Sequence, residues 1–265
     1  MESPDTVLAD LRDAWRSALT GVLAGLYVHG SLVAGDFAPE RSDLDVLAVL
    51  TADPDHRLLP VLAGLHAGLD DRHPGWAGRI EVEYISIDAT GAAAAEFAPG
   101  QRLLARISPG EPLHLLPVTR HRIVTWSTVR DSGRCLLGPP AAELLPPFDA
   151  ELVRSALVDH VRDWPTWVEQ MTTPGAQSYS VLTMCRAVQH LRYGSQLSKR
   201  RAADRTVRGR PEWSGLIGWA RDWWYGGGDD TDPGRGDEVR SFVAATSADL
   251  LRSEAGRTAR VDRGR

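Results

Sequence analysis

The sequence has 265 residues, of which 43% are hydrophobic and 25% are charged, and its formal net charge is -5 at pH 7. This length favours one to two domains, and the composition excludes a disordered chain and a collagen-like chain. With 30 basic against 35 acidic residues, the chain has no overall attraction to nucleic acid or to an anionic membrane. Two cysteines are too few for a disulfide framework, and no apolar run approaches the roughly 20 residues that cross a bilayer. We therefore expect a cytoplasmic protein with no membrane or nucleic-acid partner.

The first half of the chain alternates between helical and strand patterns. Apolar residues at helical spacing predict a helix over Thr6–Leu23, and apolar runs predict strands over Leu26–His29 and Leu44–Leu50. A second helix is predicted over Pro54–Leu69 and a third strand over Arg79–Ile87. This order predicts an α/β unit in which helices cover a mixed sheet.

The strand-like alternation largely stops after Ala89, and helical periodicity dominates the second half of the chain. Three helical segments are predicted: Glu151–Val168, Tyr179–Leu191 and Glu212–Trp224. Two pairs of adjacent prolines interrupt the connection between the halves, so we predict two domains, residues 1–148 and 149–265, the second a helical bundle. The composition of Gly226–Gly236 predicts a loop, and the chain from Arg252 onward is expected to fray.

A glycine–serine turn and a pair of carboxylates form the most informative pattern. Gly30 follows an apolar strand and lets the backbone approach a bulky anion, while Ser31 offers a hydroxyl and an amide donor to a phosphate. Asp43 and Asp45 are two residues apart on the next strand, so they point to one face. Carboxylates beside a phosphate-binding turn are the ligands that Mg²⁺ prefers. The pattern predicts nucleotide binding at Gly30 and Ser31 and magnesium binding at Asp43 and Asp45.

Either half of this pattern is common by itself, since Gly-Ser occurs in many turns and Asp-x-Asp on many solvated strands. Here the aspartates interrupt a buried apolar strand, where charges are costly unless they are paired or bound to metal. A further carboxylate, Glu81, lies on the following strand. The combination favours a functional site.

These residues resemble the signature of the nucleotidyltransferase superfamily that includes DNA polymerase beta, in which Asp-x-Asp follows Gly-Ser after about one helix. Within that superfamily the chain is similar to the streptomycin/spectinomycin adenylyltransferase family. The similarity covers most of the chain and includes these segments: Tyr27–Val49, Ile80–Val82, Cys135–Leu144, and Val181–Arg186 with Lys199 following.

The resemblance implies a polymerase-beta-like nucleotidyltransferase domain followed by a helical domain. It also implies that Glu81 is the catalytic base, with Glu83 on the same strand face as the competing candidate. Arg186 and Lys199 match residues that bind the triphosphate of ATP. Judged from the residues alone, Arg186 also fits an ordinary surface arginine on a helix.

The acceptor-binding residues of the family are only partly present. Its drug-contacting carboxylates correspond to Thr172 and Ala176, neither of which can pair with a cationic sugar. One stacking tryptophan is retained as Trp167, whereas a second has no counterpart. Trp223 and Trp224 are candidates for packing on adenine, although aromatic residues at the end of such a helix more often belong to the core.

We therefore predict a Mg²⁺-dependent transfer of AMP from ATP to a hydroxyl of an aminoglycoside or aminocyclitol, an antibiotic-resistance activity. The small cationic acceptor is expected in a cleft between the domains of a monomer. Two alternatives stay open. One is a nucleotidyltransferase that acts on a protein or RNA, as in toxin–antitoxin systems, and the other is a non-catalytic nucleotide-binding module.

Overall fold

The structure, a computed structural model, describes residues 2–95, 102–227 and 232–262. The chain divides into two units, Met1–Val153 and Arg154–Arg265. Within the described ranges, no helix is both long enough and apolar enough to cross a membrane.

A six-stranded mixed sheet forms the centre of the first unit. Its strands are β1 (Leu23–His29), β2 (Leu44–Leu50), β3 (Ile80–Ser86), β4 (Leu103–Ser108), β5 (Glu111–Pro117) and β6 (Arg134–Leu137). Their spatial order is β5-β4-β3-β2-β1-β6. Strands β2 and β3 run parallel, and every other neighbouring pair is antiparallel. The predicted mixed sheet is confirmed.

One face of this sheet is apolar and is covered by two helices, α1 (Pro4–Ala18) and α3 (Leu59–Arg72). Residues from the alternate positions of the central strands point to this side, among them Val28, Val46 and Val82. Since side chains alternate along a strand, the residues between them point to the opposite face. That opposite face carries the predicted functional carboxylates.

A buried hydrogen-bonded network ties both helices to the sheet. The indole Nε1 of Trp15 donates to the hydroxyl oxygen of Tyr84 at 2.9 Å, and Nε2 of His66 is hydrogen-bonded to the same hydroxyl at 2.8 Å. Burial lowers the pKa of His66 to about 4, which keeps the ring neutral near pH 7.

The first unit also contains the short helices α2 (Gly30–Val33), α4 (Ile87–Ala95), α5 (Arg122–Ser132) and α6 (Ala141–Leu144). Helix α5 packs on the opposite face through Trp126, which donates to Glu83, whereas Leu32 and Val33 of α2 pack against the apolar cluster. After β6 the chain passes very close to β1. A Cβ built on Gly138 would lie only 2.5 Å from the carbonyl oxygen of Ala24. The hydroxyl of Tyr27 donates to the carbonyl oxygen of Pro139 at 2.8 Å. These contacts require a glycine in the segment that follows β6.

The second unit is helical, as predicted. Its helices are α7 (Ala150–Trp167), α8 (Pro174–Tyr193), α9 (Lys199–Gly209), α10 (Ser214–Gly226) and α11 (Arg235–Asp262). Helix α8 is the most buried of them and packs against α9, α10 and α11. It ends where Gly194 takes a left-handed conformation with φ of 66°.

The structure corrects several predicted elements. Strands β4, β5 and β6 were missed, because they are partly exposed or very short and lack a clean alternation. The predicted frayed tail is wrong, since α11 continues to Asp262 and, beyond Arg252, buries Glu254, whose carboxylate pairs with Arg154. Helix α3 begins five residues later than predicted, because the carboxylate of Asp55 accepts hydrogen bonds from two following amides and forms a turn. Residues 228–231 of the predicted loop lie outside the described residues.

His73 ties the N-terminal segment to the end of α3. Its side chain is 6% exposed, and its two ring nitrogens lie 2.7 Å from Oε2 of Glu2 and 3.0 Å from Oδ2 of Asp10. Arg72 also reaches Asp10, at 3.4 Å. Burial lowers the pKa of His73, but the two carboxylates outweigh burial and hold this pKa above its usual value.

We predict that His73→Gln destabilises the protein most in mildly acidic solution. The pKa of His73 is higher in the folded state than in the unfolded state, where it is about 6.5. The contribution of His73 to the free energy of unfolding is therefore complete below pH 6.5 or so and is lost as the pH rises through the folded-state pKa. The loss in unfolding free energy, measured with urea, should be about 1.5–3 kcal/mol near pH 6 and smaller near pH 9. His56→Gln, at an exposed histidine, is the control and should change stability little at either pH. A loss for His73→Gln that does not vary with pH would contradict the charged pairing.

Candidate active site

The parallel register of β2 and β3 places the predicted carboxylates side by side. Asp45 is the direct neighbour of Glu81, and Leu47 is the neighbour of Glu83. All four residues point to the face opposite the α1 and α3 layer, because their sequence neighbours belong to the apolar cluster. Asp43 precedes β2 and is separated from Asp45 by one residue, so the two aspartates flank a buried leucine.

The Gly-Ser turn lies directly against one of these carboxylates. Strand β1 ends at His29 and α2 begins at Gly30, whose φ of 68° is in the left-handed region. A Cβ built on Gly30 would lie 1.9 Å from Oδ2 of Asp45. Ser31 follows in the first turn of α2 and is partly exposed. The structure therefore joins the predicted phosphate-binding turn and the predicted metal ligand in one contact.

Glu81 is partly exposed and keeps one carboxylate oxygen for further interactions. Its side chain is 25% exposed, and its Oε1 accepts a hydrogen bond from Nε of Arg106 at 3.1 Å. Burial raises the pKa of Glu81 above its usual value. The Arg106 guanidinium opposes this shift, and the charges of Asp45 and Glu83 add to it.

Glu83 differs from Glu81 in that both of its carboxylate oxygens are occupied. It is 5% exposed. The indole Nε1 of Trp126 donates to its Oε1 at 2.6 Å, and Nη1 of Arg122 lies 2.9 Å from its Oε2. Both partners belong to α5, so Glu83 anchors that helix to the sheet. This geometry favours Glu81 over Glu83 as the group that meets a substrate.

In the second unit, Arg186 and Lys199 occupy different settings. Arg186 is an exposed residue of α8. Lys199 begins α9, and its ammonium nitrogen lies 3.6 Å from the ring centroid of Trp224 and 5.1 Å from that of Tyr179. Lys199 is also the sole lysine of the sequence. An ammonium this close to an aromatic face is held by a cation–π interaction.

Comparison with known proteins gives a family match for most of the second half of the chain. Residues 143–249 match the family model described as aminoglycoside adenylyltransferase, C-terminal domain. This segment is therefore similar to the C-terminal domain of aminoglycoside adenylyltransferases. No curated protein sequence matches the chain significantly.

The fold of the chain is similar to that of a solved structure, the crystal structure of spectinomycin adenyltransferase AAD(9) from Enterococcus faecialis with ATP and spectinomycin. The TM-score is 0.77 at 17% sequence identity, and the match covers 94% of this chain and 99% of that one. The predicted fold is confirmed. The match of residues 143–249 agrees with the family resemblance that the sequence predicted.

Within residues 143–249, the two positions that depart from the family pattern lie just before α8 and in its first turn. Thr172 is exposed, and Ala176 lies in the first turn of α8, where its amide donates to the capping hydroxyl of Thr173 at 3.3 Å. Trp167 ends α7, and its ring centroid is 5.8 Å from that of Trp164. The segment retains an aromatic residue but presents no carboxylate at either position.

The sequence analysis missed the basic partners of the glutamates. Arg106 comes from β4, which was not predicted, and Arg122 comes from α5. One signal was available, because Arg106 is a charged residue in the otherwise apolar run Leu103–Ile107. A charge in such a run is costly unless it is paired, so it indicates an acidic partner on a neighbouring strand.

The contact between Gly30 and Asp45 predicts the outcome of two matched alanine substitutions. Gly30 and Gly35 have nearly identical φ values, 68° and 67°, but nothing lies within 4 Å of a Cβ built on Gly35. Gly35→Ala should lower the unfolding free energy by about 1–2 kcal/mol, the cost of a left-handed alanine. Gly30→Ala should cost a further 1–3 kcal/mol or so, because the added methyl group must displace the Asp45 carboxylate. Equal losses in urea unfolding would show that the carboxylate does not lie against Gly30.

The two glutamates should also respond differently to glutamine. Glu83→Gln leaves the guanidinium of Arg122 without its buried partner, so the unfolding free energy should fall by about 1–3 kcal/mol. The pKa of the Glu81 carboxyl is raised in the folded state, so its ionised form destabilises the fold at a pH above that pKa. Because glutamine carries no charge, Glu81→Gln should preserve or increase stability at pH 7. Urea unfolding of both variants at pH 7 tests this. A large loss for Glu81→Gln with none for Glu83→Gln would reverse the assignment.

Proposed function

We propose that the protein is a Mg²⁺-dependent adenylyltransferase that transfers AMP from ATP to a hydroxyl group of an aminoglycoside or aminocyclitol. The observation that carries the proposal is the contact of Gly30 with Asp45 beside Glu81, which combines a phosphate-binding turn, a metal ligand and a base on one sheet face. The family model named for aminoglycoside adenylyltransferase supports the class of acceptor. The similar structure from Enterococcus faecialis, with ATP and spectinomycin, supports ATP as the co-substrate.

The donor set around Asp45 fits a magnesium ion. Asp43 and Asp45 would supply hard oxygen ligands, and Gly30 makes room for the Asp45 carboxylate beside the predicted phosphate-binding turn. Among the described residues, no group of three or more His, Cys, Asp or Glu side chains is placed to hold a metal ion. Two carboxylates nevertheless suit Mg²⁺, because this ion commonly completes its coordination with nucleotide phosphates and water. Bound there, it would neutralise charge on the triphosphate and on the leaving pyrophosphate.

In the proposed reaction the acceptor hydroxyl attacks the α-phosphorus of ATP. A bond forms between the acceptor oxygen and that phosphorus, and the bond from the phosphorus to the oxygen bridging to the β-phosphate breaks. Its electron pair leaves with pyrophosphate. Glu81 accepts the hydroxyl proton on Oε2, the oxygen to which Arg106 does not donate. Gly30 and Ser31 bind phosphate oxygens through backbone amides and the serine hydroxyl.

The charge of the sheet face favours a cationic acceptor, although less strongly than the sequence indicated. Asp45 lies on this face and Asp43 is two residues before it, but the charges of Glu81 and Glu83 are offset by Arg106 and Arg122. Acceptor binding through Glu83 is therefore not part of the proposal. An acceptor with amino groups beside its hydroxyl still gains from the remaining carboxylates.

We also propose that Arg186 and Lys199 bind phosphate oxygens of ATP. A guanidinium can contact phosphate oxygens in a bidentate way, and an ammonium acts as a point charge. Lys199 lies against the ring of Trp224, and its ammonium has three N–H donors, so those that do not face the ring would bind the phosphate oxygens.

The proposal is tested by incubating the protein with ATP, Mg²⁺ and a panel of aminocyclitols and aminoglycosides that includes spectinomycin and streptomycin. Mass spectrometry should detect an acceptor that has gained one adenylyl group, together with pyrophosphate. Asp45→Asn should abolish transfer, and Glu81→Gln should slow the chemical step by about 10²–10⁴ while ATP still binds. Asp71→Asn, at an exposed carboxylate of α3, is the matched control and should leave transfer unchanged. Transfer to added protein or RNA with no transfer to the panel would replace the proposed acceptor class.

A further inference from the structure

Arg106 lies between two carboxylates of the first unit. Strand β4 pairs with β3 so that Arg106 is opposite Glu83, and its side chain lies on the same sheet face as the functional carboxylates. Its Nε donates to Oε1 of Glu81 at 3.1 Å, and its Nη1 donates to Oε2 of Glu111 at 2.6 Å. The Arg106 side chain is 19% exposed, so the guanidinium is largely shielded from water. This guanidinium therefore fixes the separation of the two carboxylates.

Glu111 holds the far side of this guanidinium. It begins β5 and is opposite Ser108 in the hairpin formed by β4 and β5. Its Oε2 also accepts a hydrogen bond from the hydroxyl of Ser108 at 3.2 Å, and its Oε1 lies 3.3 Å from Nε2 of His114. The carboxylate of Glu111 is therefore fixed from three directions. Its hydrogen bonds hold Arg106 in the orientation that reaches Glu81.

Asp45 and Glu81 are direct neighbours in a parallel pair of strands, and two carboxylates so placed repel each other. Without an opposing charge, the flexible Glu81 side chain would rotate away from Asp45. Arg106 supplies that charge and bonds to one carboxylate oxygen only. The carboxylate of Glu83 differs from that of Glu81, because partners occupy both of its oxygens.

We propose that Arg106, held by Glu111, is a positioning residue that fixes the orientation of Glu81 with Oε2 directed away from the guanidinium. The proposal rests on the adenylyl transfer proposed above, in which Oε2 accepts the proton of the acceptor hydroxyl. A base that is already held in one rotamer loses less conformational freedom when the reaction begins. Displacement of a reacting group by about 1 Å can reduce the rate of the chemical step by about 10². Arg106 and Glu111 act through Glu81 and contact neither ATP nor acceptor.

The kinetic test compares Arg106→Ala with Arg102→Ala in the adenylyl-transfer assay. Arg102 precedes β4 and pairs with Asp53 at 3.1 Å, away from Glu81, so it is a matched arginine whose loss removes an ion pair of the same sheet. Arg106→Ala should lower kcat by about 10–10² with the KM values for ATP and acceptor changed less than about threefold. Arg102→Ala should leave kcat unchanged. A kcat for Arg106→Ala equal to that of Arg102→Ala would overturn the proposal.

Two further variants separate positioning from folding. Arg106→Lys keeps the charge but cannot donate to both carboxylates through a planar fork, so its kcat should lie between those of the wild type and Arg106→Ala. Glu111→Gln should lower kcat by about threefold to tenfold, since Arg106 is then held less firmly. Added guanidinium ion should restore part of the activity of Arg106→Ala and none of that of Glu81→Gln. A kcat for Arg106→Lys and Glu111→Gln equal to that of the wild type would count against a positioning role.

An assay that needs no turnover distinguishes failure of this proposal from failure of the proposed function. Carbodiimide with an amine nucleophile labels accessible carboxyl groups, and peptide mass spectrometry reports the extent at Glu81. Labelling at Glu81 should rise several-fold in Arg106→Ala and stay unchanged in Arg102→Ala. If the wild type transfers no nucleotide but labelling still rises, the proposed function fails while Arg106 still fixes Glu81. If labelling does not change, Arg106 does not position Glu81, whatever the protein catalyses.

Discussion

The parallel pairing of β2 with β3 is the constraint on which the rest of the first unit depends. Its register makes Asp45 and Glu81 neighbours, which places two negative charges side by side on one face of the sheet. Such a pair is unfavourable unless positive charge lies close to it. Arg106 from β4 meets that requirement at Glu81, to which it donates a hydrogen bond, and the missing side chain of Gly30 makes room for the Asp45 carboxylate.

Glu81 and Glu83 show how partners assign different roles to identical side chains. They are two residues apart on one strand face, and the sequence places each beside an apolar neighbour. Helix α5 supplies Trp126 and Arg122 to Glu83, which is thereby removed from solvent and serves as an anchor. Glu81 receives a single donor and stays accessible. The difference arises from tertiary contacts and not from the strand itself.

The sequence was sufficient to predict the central strands and the Gly-Ser and Asp-x-Asp pattern. Strands β2 and β3 are apolar runs, and their buried faces leave the carboxylates as conspicuous exceptions. Strands β4 and β5 are mixed in composition and partly exposed, so their periodicity was too weak to detect. Arg106 and Glu111 belong to those strands, and the apolar run around Arg106 indicates an acidic partner but not which one, which the strand register shows. The environment of Lys199 was equally hidden, because it depends on rings from two other helices.

The contact of Lys199 with the Trp224 ring has a practical consequence, because Lys199 is the one lysine of the sequence. The other 29 of its 30 basic residues are arginines. Apart from the α-amino group, the chain offers a single primary amine to acylating or reductive-methylating reagents. Isotope-labelled methyl groups introduced at Lys199 would lie in the shielding cone of the Trp224 ring, which moves their proton resonances upfield. Departure of the ammonium from the ring would return these resonances to ordinary positions. One chemically attached probe would thus report the occupancy of one cation–π contact in a protein of 265 residues.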